Sequence, residues 1–515
     1  MRALLLLTLL ATPAMAQEPR FAEETATAGL ATPYLGDWEY MVGGGVAVFD
    51  CDGDLRDDVF LAGGAGKAGL YRNLSETAGA LQFEAVDSGA GVEAVSGAWP
   101  LDVDGDGITD LALMRVGANM LMRGLGDCRF ADASADWGFD GGDAWSTAFS
   151  ATWEKGATWP TLAVGKYIDR TQDAFPWGSC TDNSLHRPGA NGGFAPPVPL
   201  TPSFCALSIL FSDWSGTGQV DLRVSNDREY YKGGQEQLWH LPAGQPPRLY
   251  SEAEGWKRLR IWGMGIASRD LDADGDTELF LTSMADNKLQ SLTDGANGLP
   301  DYADVAFARG ATAHRPYTGG DIHPSTGWHA QFDDVNNDGL DDLFIAKGNV
   351  DQMPDFAQAD PNNLLMQDDA GMFHETGEVA GVASVGTARG AALADFNRDG
   401  LLDLIVVNRR EPPQIWRNTT EGAGAFISVR LSDDGANRDA VGAWIELDTP
   451  RPQRREVTVG GGHASGQMGW HHFGLGAATA TQLRVIWPDG TAGQWQDMTP
   501  GFYRLTRTGA ERVTP

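Results

Sequence analysis

The chain has 515 residues, 38 basic against 70 acidic side chains, and a formal net charge of −32 at pH 7. That much negative charge repels phosphate backbones and anionic lipid surfaces, which excludes nucleic acid and an acidic membrane face as partners. Sixty-six glycines and 42% hydrophobic residues describe a turn-rich globular chain long enough for more than one domain.

The amino terminus reads as an export signal. Met1-Arg2 supplies a basic start, a short leucine-rich run follows from Ala3, and Ala14-Met15-Ala16 supplies the small-residue cleavage pattern. The apolar run is too short to span a bilayer, and no later stretch is long and apolar enough, so no transmembrane segment is expected. Residues 1–16 are therefore expected to be a signal peptide and the mature chain to be periplasmic or extracellular. Phe21 to Leu30 follows as a single strand with no hairpin of its own.

An acidic spacing then returns five times: Asp50-Asp52-Asp54-Asp58, Asp102-Asp104-Asp106-Asp110, Asp270-Asp272-Asp274-Glu278, Asp334-Asn336-Asp338-Asp342 and Asp395-Asn397-Asp399-Asp403. Short oxygen ligands at alternate positions of a tight loop, closed by an acid at the ninth position, suit a hard cation such as Ca²⁺. These are not EF-hands, which need a glutamate at position twelve between helices. Here Leu61, Leu113, Leu281, Ile345 and Val406 stand there, inside apolar runs that read as buried strands. Each unit is thus a strand, a metal loop and a strand, with Gly275, Gly339 and Gly400 at the sharp sixth position. About five Ca²⁺ ions are expected, in a structural role, because a nearly full oxygen shell leaves no open position for substrate.

The first ligands stand at 50, 102, 270, 334 and 395, and the long gap holds two decayed copies. Asp213 to Leu222 keeps the spacing with hydroxyls at the third and fifth positions, and Thr152-Trp153-Glu154-Lys155-Gly156 keeps only the place. A third strand recurs after most loops: Leu70-Tyr71-Arg72-Asn73, Leu121-Met122-Arg123-Gly124, Leu238-Trp239-His240 and Ile415-Trp416-Arg417-Asn418. A fourth begins with Phe83, Phe130, Tyr250, Tyr302 or Phe373. The last unit lacks this outer strand, and the unattached Phe21 strand supplies it. A period of this size, with such a closure, predicts an all-β, seven-bladed β-propeller over residues 17–420, without open sheet edges.

Four cysteines in an exported chain favour disulfides. Cys180 and Cys205 flank a Pro/Gly-rich segment and are expected to pair, which leaves Cys51, inside the first acidic loop, for Cys128. The longest departures from the repeat carry Trp177, then Arg228, Tyr230 and Tyr231, then Tyr317 and Trp328, residue types enriched at binding hot spots, and these are the expected partner-binding residues.

After Asn418 the pattern changes. Short strands at Phe426 to Leu431, Val441 to Leu447, Glu456 to Val459 and Leu483 to Trp487 predict a small β-domain over 421–515. His463, His471 and His472 sit near one another in sequence, and a turn-satisfying role is expected for them. His374-Glu375-Thr376-Gly377-Glu378 lacks the second histidine of a zinc helix, and Gly462-His463-Ala464-Ser465-Gly466 misses the nucleophile-elbow spacing. No catalytic residue is expected.

The acidic hairpins resemble the FG-GAP (VCBS) repeats of integrin α-subunit propellers. Asn437 to Ala443, His472-Phe473-Gly474-Leu475-Gly476 and Val485-Ile486-Trp487-Pro488-Asp489-Gly490 resemble the ASPIC/UnbV domain, which follows such repeats in the cartilage acidic protein family. The resemblance implies an extracellular calcium-binding protein with adhesion-like roles, no settled enzymatic activity, and partner binding mainly on the propeller face opposite the calcium loops. A protein or glycan ligand is expected. The alternatives are a calcium-dependent polysaccharide-processing enzyme and an envelope assembly factor.

Overall fold

The computed structural model describes residues 17–514 except 173–178, 191, 229–232, 294–297, 313–322, 352 and 358–359. The expected signal peptide lies outside the described residues. No helix among those described is long and apolar enough to cross a membrane.

The alternation of apolar runs with glycine turns produces antiparallel hairpins throughout. Seven sheets, each built on one four-strand meander, succeed one another along the chain. Their innermost strands are Val46–Phe49, Glu93–Leu101, Ser146–Thr152, Ala206–Ser212, Gly263–Arg269, Gly327–Asp333 and Ala388–Ala394, almost wholly buried, and each contacts the next, the last contacting the first. The ring closes as the sequence suggests. Phe21–Glu23 pairs with Gln414–Asn418, Phe21 opposite Asn418, and becomes the outer strand of the sheet that begins at Ala388. The architecture is a β-propeller, and the sheets are called blades 1 to 7 in the chain order of their innermost strands.

The third strands of blades 3, 5 and 6, Asn183–His186, Lys288–Leu292 and Asn363–Gln367, lack the aromatic-arginine signature and were not evident in the sequence. The outer strand of blade 4, Arg248–Leu249, stops before Tyr250, because that side chain turns inward to donate to Asp221. Both disulfides are present, Cys51–Cys128 and Cys180–Cys205.

The carboxy-terminal residues form a β-sandwich. One sheet runs His471–Gly476, Ala425–Leu431, Gly501–Thr506, Gly509–Val513; the other runs Gln453–Glu456, Trp444–Asp448, Thr481–Ile486, Gln496–Met498. Ile427, Val429, Ile445, Leu447, Phe473, Leu483, Val485 and Trp487 fill the space between them. The expected strand at Glu456 to Val459 lies three residues upstream, at Gln453–Glu456. The arginines there stack, Arg454 on Trp444 and Arg455 on Phe473, so a charged run makes a half-buried strand. Val457 still packs in the sandwich core, whereas Val459 packs against blades 2 and 3: between them the chain leaves the sandwich and enters the propeller.

Residues 459–468 thread the propeller axis and bond to the innermost strand of every blade. Ala151 N donates to Val459 O in blade 3, Gly461 N to Ile209 O in blade 4, and Gly462 and Ile266 exchange both backbone bonds in blade 5. His463 N donates to His329 Nδ1 in blade 6, and Ala98 N donates to Ala464 O in blade 2. Val46 N donates to Ser465 Oγ in blade 1, and Gln467 Nε2 donates to Leu393 O in blade 7. Glycine makes the approach possible. A Cβ on Gly45 or Gly97 would collide with the Ala464 carbonyl oxygen, and one on Gly390 with Ser465 Oγ. A central channel is thereby filled by a plug from the second domain.

Candidate metal centres

Each acidic loop is shaped by its own first and ninth residues. The first aspartate accepts backbone amides across the turn: Asp50 from Gly53 (2.7 Å) and Leu55 (3.1 Å), Asp102 from Gly105 and Gly107 (2.8 Å each), Asp334 from Asp338 and Gly339, Asp395 from Asp399 and Gly400. Positions four and six adopt left-handed backbone in all five loops, Gly53 and Leu55, Gly105 and Gly107, Ala273 and Gly275, Asn337 and Gly339, Arg398 and Gly400. Sequence reasoning found the sixth position and missed the fourth, where Ala273 and Arg398 carry no glycine signal.

The ninth residue ties the loop to the blade. Asp58 accepts from Cys51 N at 2.8 Å with one oxygen and from Asn73 N at 2.8 Å, on the third strand, with the other. Asp110 does the same between Val103 and Gly124, Asp342 between Val335 and Gln367, Asp403 between Phe396 and Asn418. Glu278, one methylene longer, takes Leu271 N and the Ser291 hydroxyl.

These constraints converge the first, third and ninth carboxylates. In Asp50/Asp52/Asp58, Asp102/Asp104/Asp110 and Asp270/Asp272/Glu278 one oxygen of each residue lies within 4.8 Å of the others. In blades 6 and 7 an asparagine holds the third position, and Asn336 and Asn397 turn their amides onto Asp338 and Asp399. The fifth-position side chains, Asp54, Asp106, Asp274, Asp338 and Asp399, instead cap the amide two residues on.

The tips concentrate buried carboxylates. Burial, with the neighbouring carboxylates adding to it, pushes Asp58 and Asp110 up to about 8, Asp395 to about 8, Glu278 to about 7 and Asp270 to about 6. Asp334, Asp342 and Asp403 also rise well above the carboxylate range for the same reasons. Asp270 Oδ1 is buried without a hydrogen-bond donor. An all-oxygen donor set of this kind fits a hard divalent ion, whose charge removes the mutual repulsion. Arginines approach from outside, Arg72 on Asp52 (2.9 Å) and Arg123 on Asp104 (2.9 Å).

In the two decayed loops the acids are satisfied by side chains. In blade 4, Asp221 is held by Trp214 Nε1 (3.0 Å), the Tyr250 hydroxyl (2.7 Å) and His240 Nδ1 (3.0 Å). In blade 3, Glu154 pairs with Arg187 at 2.5 Å and accepts from Thr161.

The second domain lies on this loop face. Arg430 reaches Asp50 at 2.8 Å, Trp470 donates to Leu55 O, Arg438 to Gly105 O and Arg454 to Gly275 O. Gly424 N and Gly476 N donate to the carbonyls of Asn336 and Asn337, and Arg398 stacks over Phe502 at 4.2 Å. Between this domain and blades 5 and 6 lies a cavity of about 180 Å³, lined in part by Arg269, His329, Gln331, Arg455 and His471.

The expected partner residues fare differently. Trp328 is 1% exposed, stacked between Arg389 and His463 at the base of the plug, and is therefore a core residue and not a docking residue. Its inward turn follows from its place on an innermost strand. Arg228 is turned inward onto Tyr167 and Asp227. Trp177, Tyr230, Tyr231 and Tyr317 lie outside the described residues. The histidines do not form one cluster: His463 lies in the channel against the Val42 carbonyl, and His472 lies at loop 6 against Asn337 Oδ1, both at 2.6 Å.

Residues 334–406 match the family model of the FG-GAP-like repeat, and residues 433–511 match that of ASPIC and UnbV. No curated protein matches the chain. Among solved structures it is similar to BBS1N in complex with ARL6DN, at 10% identity, covering 79% of this chain and 98% of that one, with a TM-score of 0.44. It is similar to a lectin of Agrocybe aegerita that recognises non-reducing terminal N-acetylglucosamine, at 15% identity, 73% and 94% coverage and a TM-score of 0.40. It is also similar to the rhamnogalacturonan lyase YesW, at 11% identity, 77% and 75% coverage and a TM-score of 0.36. Neither ligand nor activity follows from likeness at that level. The chain carries an FG-GAP-like repeat followed by an ASPIC/UnbV domain, on a β-propeller frame.

Proposed function

We propose that the protein is an exported recognition module, held in shape by calcium, whose ligand face is the one opposite the acidic loops. The convergence of first, third and ninth carboxylate oxygens in the tips of blades 1, 2 and 5 carries the calcium reading. The first and ninth carboxylates are buried close to one another and to the third, Asp270 Oδ1 has no donor, and one Ca²⁺ per tip would neutralise the shared charge. The residues that would hold the ions are the twenty of the five loops, with the fifth-position side chains turning in from their present caps. The ions' contribution is charge neutralisation and rigidity.

The recognition reading rests on the side of the propeller that the β-sandwich does not cover. One face is covered by the β-sandwich and the axis is filled by the plug. The long connections 167–182, 227–236, 305–326 and 348–362 join strands at the other end of the blades. FG-GAP-like and ASPIC/UnbV domains are not known as enzymatic, and their order here matches the cartilage acidic protein family. Two disulfides suit an oxidising compartment outside the cytoplasm. The test is an array of glycans and envelope proteins probed with the mature chain, with and without calcium. Calcium-dependent capture supports the reading; product release from a polysaccharide would replace it with an enzymatic one.

A further inference from the structure

We propose that the β-sandwich is an ion-dependent lid: its seating on the propeller and the filling of the acidic loops form one coupled equilibrium. The proposal rests on the calcium reading above and adds to it a device that the repeat alone does not contain.

The lid touches all five acidic loops, and it does so largely through backbone acceptors that exist only while the loop keeps its shape. The carbonyls of Leu55, Gly105, Gly275, Asn336 and Asn337 all lie in the segment between the third and sixth positions, where left-handed residues turn them outward. Stacking depends on the same geometry. Arg398, itself left-handed at position four of loop 7, is aimed over Trp470 (4.9 Å) and Phe502 (4.2 Å), and a Cβ on Gly400 would strike the Phe426 ring. An ion-free tip, with several buried carboxylates repelling one another, relaxes by opening the turn, and each opened turn withdraws one foothold.

Besides the plug's own bonds and the Arg455–Asp333 pair (2.7 Å), two contacts at blade 4 involve no acidic loop, and they make the device a hinge and not a simple dissociation. Glu456 accepts from Asp213 N (2.8 Å) and Ser212 Oγ (2.6 Å) at blade 4, the blade whose loop has lost its acidic set. The chain runs directly from Glu456 into the plug. The decayed loop is thus the fixed anchor, and the five acidic loops are the releasable ones. Coupling of this kind is reciprocal: if ions favour lid seating, a seated lid favours ion retention by the same factor, and coupling factors of about 5–150-fold are usual. A lid that opens under low calcium frees the plug and opens the propeller axis.

The experiment uses the full mature chain in two conditions, saturating Ca²⁺ and EDTA, with ion binding read by titration calorimetry on the same preparation. Hydrogen exchange is followed in residues 459–468 and, as internal reference, in the strands Asp221–Asn226 and Thr161–Lys166. The expected result is at least about tenfold faster exchange of the plug in EDTA, with the reference strands changing less. A second arm measures calcium release to a fluorescent chelator from Trp470→Ala, a lid residue that is not an acidic ligand; release is expected to be at least about fivefold faster than from the unsubstituted chain. Calcium binding with unchanged plug exchange and unchanged release overturns the lid and leaves the calcium reading standing. Absence of calcium binding overturns both.

Discussion

Gly45→Ala tests the plug with the smallest possible change. The added methyl would collide with the Ala464 carbonyl oxygen and lie 2.7 Å from its carbon and 2.9 Å from Gly97 Cα. All three are backbone atoms, so no side chain can swing aside. Either the plug stays and the strands shift, an overpacking cost of about 1–3 kcal/mol, or it withdraws and forfeits bonds such as the Gly462–Ile266 pair, at about 1 kcal/mol each. The cheaper route sets the loss at about 1–3 kcal/mol. A chain of about 500 residues unfolding as one unit loses roughly 1 kcal/mol of stability per degree near its midpoint, so Tm falls by about 1–3 °C. Calorimetry reads that shift. Limited proteolysis separates the routes, since withdrawal exposes residues 457–470 to cleavage. A variant with unchanged Tm and an unchanged cleavage pattern would refute the threading of residues 459–468 through the axis.

Removing calcium with EDTA is expected to lower Tm reversibly, because free ion at a hundred times its dissociation constant adds about 2.7 kcal/mol per site, or about 13 kcal/mol if all five fill alike; scanning calorimetry before and after recalcification measures it. The pH dependence has a definite sign. The tip carboxyls ordinarily titrate at 3.8 or 4.5, and in the ion-free fold several rise to about 7 or 8. The ion-free protein therefore loses stability as pH rises from about 4 to about 8, whereas the calcium-loaded one keeps those groups ionised and does not. Buried His329 and His463, lowered to about 4 and 3, destabilise both forms alike below pH 6.5, so the gap between the two melting curves isolates the carboxylates and widens with pH. Tyr250→Phe removes one donor from Asp221 and is expected to cost about 0.5–1.5 kcal/mol equally in calcium and in EDTA, by denaturant titration. Asp342→Asn, by contrast, is expected to lower Tm more in calcium than in EDTA, where the only loss is one of the two amides that Val335 and Gln367 donate to it.

Much of the frame was legible because it repeats. Five copies of one spacing between apolar runs defined the hairpins, and the orphan strand at Phe21 implied the closure that Asn418 provides. The acidic loops were legible for the same reason, since the same spacing returns between the same apolar runs. The plug was not legible. Gly460-Gly461-Gly462 carry no mark of it, because glycines that allow a turn and glycines that allow two backbones to touch look alike in one chain. Its partners, Gly45, Gly97 and Gly390, carry no signal of their own for the same reason. Trp328 read as a surface anchor because an aromatic near a long connection has no periodic signal to mark it as interior. The replacements in blades 3 and 4 also escaped notice: Arg187 and Tyr250 lie 33 and 29 residues from the acids they satisfy.

The most direct measurement is a count of ions. Native mass spectrometry of the mature chain in a calcium-containing volatile buffer, paired with anomalous scattering from crystals at the calcium-sensitive wavelength, locates every bound ion. The account predicts ions at the tips bounded by Asp50 and Asp58, Asp102 and Asp110, Asp270 and Glu278, Asp334 and Asp342, and Asp395 and Asp403, and none at Asp213 or Glu154. Tips free of ions at millimolar calcium, or an ion seated in blade 3 or 4, would contradict it.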